Sequence, residues 1–112
     1  MEINISETGQ KKITSFFYRI LIPRPIAWVS TRSKDGIDNL APFSFYGGVA
    51  ANPPIVSLGI GRRAGKHKDT SQNLLDTGEC VIHLTNVELS EKMVKTSAEF
   101  PPAPSRARVS LR

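Results

Sequence analysis

At 112 residues, 39% hydrophobic and 22% charged, the chain is long enough for one globular domain with a modest core, too short for two, and too apolar for the disordered class. The formal net charge of +5 does not describe a basic protein, because Arg106, Arg108 and Arg112 at the end supply three of those charges. A single cysteine, Cys80, excludes an internal disulfide, and no Cys or His pair has the spacing of a zinc site.

No apolar run approaches the ~18 residues of a membrane span, and the start, MEINISETGQKK, lacks the charged-then-apolar order of a signal peptide. The expectation is a cytoplasmic protein with no membrane association. Residues Met1 to Gln10 are polar and read as a frayed or draped terminus. Ile13, Phe16, Phe17, Ile20 and Leu21 then recur at helical spacing, with Thr14 or Ser15 as caps and Pro23 as the stop. This predicts a short helix plugging one end of a sheet, its aromatics in the core.

The strand signal is concentrated between Pro23 and Gly61. Ala27 to Arg32 is β-rich, and Asp35-Gly36 supplies the turn. Asn39 to Tyr46 returns, Gly47-Gly48 permits a bend or bulge, and Asn52-Pro53-Pro54 forces a break before a further strand, Ile55 to Ile60. The expected product is one antiparallel meander. Trp28 reads as core. Ser30, Thr31, Asn39 and Ser44 interleave with apolar residues, more polarity than a plain sandwich core needs.

The glycine-punctuated loop Gly61 to Lys68 holds Arg62, Arg63, Lys66 and Lys68 within seven residues. Asp69 follows as an N-cap, with Gln72 in capping-box position, and Gly78 stops the helix. Cations and open backbone N–H groups at the positive end of a helix dipole suit an anion. An ordinary solvated loop before a capped helix fits the same residues. Gly59 to Ala64 matches G-x-G-x-x-A, but its antiparallel setting and the late helix start argue against a dinucleotide fold. Gly65-Lys66 ends like a P-loop, yet His67 stands where Ser or Thr must bind magnesium.

Glu79 to Leu84 is a compact strand with Cys80 expected buried in it, His83 a strand residue and His67 facing solvent. Asn86 or Ser90 then starts a helix with Leu89, Met93, Thr96 or Ser97, and Phe100 on one face, closed by Pro101-Pro102. Residues 1–102 form the expected domain and 103–112 an irregular basic tail. No nucleophile elbow, paired carboxylates or H-E-x-x-H motif is present, so any chemistry must come from a cofactor.

In order, PRPIAWVST, DGIDNLAPFSF, NPPIVSLGIG, KDTSQN, TGECVIHL and TSAEFPP resemble the flavin reductase-like family, which includes flavoredoxin. The resemblance implies a mainly β fold with peripheral helices: an antiparallel split β-barrel of the FMN-binding type, here truncated at its C-terminus. It implies an oxidoreductase taking hydride from NADH or NADPH onto FMN, working as a homodimer and serving a small-molecule or small-protein electron acceptor. It places FMN contacts at Ser30, Thr31, Asn39, Ala41, Pro42, Phe43 and Ser44, and phosphate contacts at Arg62, Lys68, Asp69 and Thr70. A non-catalytic FMN carrier is the alternative. A nucleic-acid-binding barrel ranks below both, because no aromatics interleave with the basic residues.

Overall fold

The computed structural model of the chain describes residues 2–98. The elements run in the order α1 (Gln10–Ile20), β1 (Ala27–Arg32), β2 (Asp38–Phe43), β3 (Tyr46–Ala51), β4 (Pro54–Leu58), α2 (Asp69–Thr77) and β5 (Val81–His83). A 3-10 turn (Val87–Leu89) then leads into α3 (Ser90–Lys95).

β1 and β2 form the predicted hairpin, from Ala27 opposite Phe43 to Arg32 opposite Asp38. Its turn closes through Gly36 N–H to the Ser33 carbonyl, with Gly36 at φ 78°, where a side chain is disfavoured. β5 adds antiparallel to the other edge of β1, giving the order β2-β1-β5. Pro42 costs this ladder little because β2 is an edge strand.

The single meander is corrected to two sheets. The chain leaves the first at Ser44-Phe45, and β3 pairs only with β4 among the described residues. Gly47 and Gly48 therefore lie within β3, and the register shift between Gly48 and Ala50 is a bulge. β4 starts at Pro54 and ends at Leu58, shorter than expected.

Alternation along β1 and β2 splits their residues between two faces. Ala27, Val29, Ala41 and Phe43 form one core with Tyr46, Leu58, Ile60 and Ile82 packed against it. Trp28, Leu40 and Met93 form a second core with Leu89, under α3. Trp28 donates its indole N–H to Thr96 Oγ1 at 3.0 Å, so the buried ring keeps its polar partner.

Several local expectations change. α1 starts at Gln10 after Gly9, without the Thr14 or Ser15 cap, and none of its residues is buried. Its apolar stripe was legible, but no described element covers Phe17 or Ile20. The N-terminal stretch is ordered into a turn by Asn4, whose side chain accepts from Ser6 N–H. Cys80 is exposed and lies outside β5, which begins at Val81, two residues later than the expected start at Glu79. Phe100, Pro101-Pro102 and the tail lie outside the described residues.

Candidate functional site

α2 begins one residue earlier in cap terms than the sequence implied: Lys68 is the N-cap, in extended conformation, and Asp69 is the first helical residue. The capping box does not form. Gln72 turns forward to Asp76, at 3.1 Å, and Lys68 receives the first turn through its carbonyl, which accepts from Gln72 N–H. No side chain caps the helix start. Gly78 ends the helix at φ 70°, as its position predicted.

The preceding loop is a tight turn in which Arg63 and Lys66 exchange backbone hydrogen bonds across Ala64 and Gly65. That closure places Arg63 at a small hollow of about 110 Å³, along with Lys68, Asp69 and Thr70 on one side and Ala41 to Phe43 on the other. Thr96 and Ser97 close the remaining wall. The cluster of loop, helix start and outer edge of β2 is thus a shared cavity.

Two cations and one carboxylate line this hollow, leaving a side-chain charge of about +1 before the helix dipole is added. Lys68 Nζ stands 5.9 Å from the centre of the Phe43 ring, so its charge is held toward β2. Thr70 is 1% exposed, and its Oγ1 accepts from Asn39 Nδ2 at 2.9 Å. Its hydroxyl hydrogen is therefore available as a donor. Asn39 Oδ1 is buried without a hydrogen-bond partner, an arrangement that costs about 1–3 kcal/mol where nothing satisfies it. Thr31 is tied to the same helix by Asn73 Nδ2, at 3.0 Å.

The residues implied by the resemblance therefore divide. Ala41, Pro42, Phe43, Lys68, Asp69 and Thr70 meet at the hollow. Thr31 and Asn39 are buried and support α2 through Asn73 and Thr70. Ser30 points to the opposite face and bonds His83 Nε2 at 2.9 Å, while Ser44 binds Arg24. Arg62 and Arg63 are both exposed, and of the two it is Arg63, at the start of the 63–66 turn, that lines the hollow. Thr96 and Ser97 were read only as helix-face residues; their place in the wall had no local signal.

What these parts can hold is an anionic terminal group, with the rest of its carrier outside. A volume of about 110 Å³ is far below the roughly 300–1,000 Å³ of pockets that enclose whole ligands. A flavin mononucleotide fits the donor set through its phosphate, and its ring system would have to lie beyond the hollow.

Fold and site together define a class: sheet-built proteins with a basic turn and a helix start set against a strand edge around one small hollow. The family model described as "Flavin reductase like domain" matches residues 17–110, and the chain belongs to that family. The match extends into the basic tail.

An uncharacterized protein of Aquifex aeolicus is 44% identical over 103 residues, covering 91% of this chain and 53% of its own length. The uncharacterized protein YwrF of Bacillus subtilis is 42% identical over 92 residues, covering 81% of this chain and 45% of its own. The crystal structure of nitrilotriacetate monooxygenase component B from Bacillus cereus superposes with a TM-score of 0.92 at 36% identity, covering 99% of this chain and 55% of that one. The crystal structure of a protein with a split barrel domain from Shewanella frigidimarina shares the fold, with a TM-score of 0.76 at 22% identity, over 96% of this chain and 54% of that one. The chain spans about half the length of the relatives it matches. Membership links it to flavin-related redox chemistry.

Proposed function

We propose that the chain binds FMN, with its phosphate in the hollow formed by Arg63, Lys68, Thr70 and the start of α2. The observation that carries this reading is the convergence of two cations, a buried hydroxyl and a helix N-terminus on the open edge of β2. Lys68 and Arg63 neutralise the phosphate, and Thr70 donates its hydroxyl while Asn39 fixes its orientation. Ala41, Pro42 and Phe43 offer the ring system an apolar strand edge. When bound, FMN supplies a two-electron carrier that accepts hydride from NADH or NADPH and passes reducing equivalents to a small acceptor.

Two further parts of the proposal concern assembly. The outer edges of β2 and β5 pair with no other strand among the described residues, which supports closure of a split barrel by additional strands and pairing as a homodimer. Sedimentation at several concentrations tests the dimer; a monomer throughout the micromolar range removes it.

Flavin binding is tested by reconstitution with FMN, desalting and absorbance. A retained flavin band is expected, and the Lys68→Ala/Thr70→Ala double variant should bind FMN about 10- to 100-fold more weakly, from loss of charge-assisted bonds. Riboflavin, which lacks the phosphate, should bind the unmodified chain and the variant alike. FMN affinity unaffected by the double substitution would return the loop to an ordinary solvated turn. Oxidation of NADH or NADPH by the reconstituted protein separates a reductase from a non-catalytic flavin carrier.

A further inference from the structure

A second hollow shares no lining residue with the anion site. It measures about 720 Å³ and lies between the end of α1 and the start of the β3–β4 hairpin, with Ile22, Pro23, Tyr46 and Leu58 in its walls. Arg24 is the one charged residue among those that line it.

That arginine is held unusually firmly. Its guanidinium carbon lies 5.4 Å from the centre of the Tyr18 ring and 5.1 Å from that of Phe45. Its Nη1 donates to the carbonyls of Tyr18 and Leu21 at 3.0 and 2.7 Å, and its Nε donates to Ser44 Oγ at 3.3 Å. The two Nη2 hydrogens have no partner among the described residues. Ser44 Oγ accepts from Arg24, so its own hydrogen can donate into the same space.

Capping the last carbonyls of α1 explains Nη1. It does not explain a fixed, half-buried arginine whose remaining donors meet no acid in a hollow lined mainly by apolar residues. A cation whose rotamer is already fixed loses little further entropy on binding, and its planar fork matches a carboxylate. The proline, leucine and tyrosine walls suit a flat apolar body.

We propose that this hollow binds a small aromatic carboxylate, its carboxylate on Arg24 Nη2 and the Ser44 hydroxyl and its ring against Tyr46 and Leu58. The two hollows share no lining residue, so either proposal can fail without the other.

The test is an NMR titration of the full chain with benzoate, its neutral analogue benzamide, and acetate, following the Arg24 side-chain N–H and the backbone N–H groups of Ser44, Tyr46 and Gly59. Benzoate should shift these signals saturably and bind about tenfold or more tightly than benzamide, the difference expected for a charged hydrogen bond. It should also bind more tightly than acetate. Equal affinity for benzoate and benzamide overturns the proposal, as do benzoate shifts confined to residues 63–70. Arg24→Gln should weaken benzoate about tenfold. Because that change also uncaps α1, Ser44→Ala serves as the second variant, leaving both Nη1 bonds in place. It should weaken benzoate about threefold, and an unchanged affinity there overturns the assignment to this hollow.

Discussion

The β2-β1-β5 sheet and the β3–β4 hairpin are built from neighbouring stretches of the same chain, yet they are buried very differently. β1 and β2 have residues packed on both faces, with two cores and two helices laid over them. In the hairpin, Val49 is 64% exposed and Val56 49%, and no residue of β3 or β4 is buried. A two-stranded ribbon is marginal by itself in water. The contrast teaches that the first sheet is organised by contacts within the described residues, whereas the hairpin is fixed mainly by its turn, its bulge and the Tyr46 and Leu58 end that reaches the core.

The comparison can be broken most forcefully at Trp28. Trp28→Ala should cost about 3–5 kcal/mol in urea unfolding, since it empties the core under α3 and removes the indole donor to Thr96 Oγ1. A cost below 1 kcal/mol would mean that this core does not organise the fold. Next comes Thr70→Val, which leaves the buried Asn39 amide without its acceptor and should cost about 1–3 kcal/mol; bound FMN should decrease in the same variant.

Glycine substitutions sharpen the difference further. A Cβ at Gly59 would meet Phe45 Cβ at 2.9 Å, so Gly59→Ala should cost about 1–3 kcal/mol by thermal denaturation. Gly47→Ala in the bare hairpin meets nothing within 4 Å and should stay within about 0.5 kcal/mol. Val56→Lys should be similarly small for unfolding but should reduce self-association measured by sedimentation, if the hairpin face is a contact between copies.

The smallest effect is electrostatic. Asp76 is held below the usual carboxylate range, first by the side-chain hydrogen bond from Gln72 and then by Lys34 at 3.2 Å. A lowered native pKa contributes stability that is present above the unfolded value and is lost as pH falls through the native one. Asp76→Asn should therefore lower stability slightly at neutral pH, leave it almost unchanged well below about pH 4, and so flatten the acid side of the stability profile measured by urea unfolding.

Much of this was readable in the chain. Asp35-Gly36 and Gly78 announced a turn and a helix stop because each required backbone that glycine adopts freely, and both lie at positive φ. The Lys68-Asp69-Thr70 sequence likewise announced a helix start, and those residues share a hollow with Ala41 to Phe43. What could not be read was direction. Of the two exposed arginines it is Arg63, at the start of a turn closed by backbone bonds, that lines the hollow, and the departure of Ser30 from the site follows from strand alternation once the register is set. Cys80 and the α1 stripe were misjudged for a related reason: an apolar pattern says which face wants cover without saying whether anything covers it.

By itself, then, the sequence determined the local vocabulary: which stretches form strands and helices, which residues bend the chain, and which motif set marks the family. Those features depend on backbone preference and short-range spacing, which each residue carries with it. Only the tertiary structure decided that the strands split into two sheets, that Asn39 sits behind Thr70, and that Arg24 lies against the contacting Tyr18 and Phe45 rings at a hollow of its own. Those outcomes depend on register and on contacts between residues far apart in the chain, which no single segment encodes.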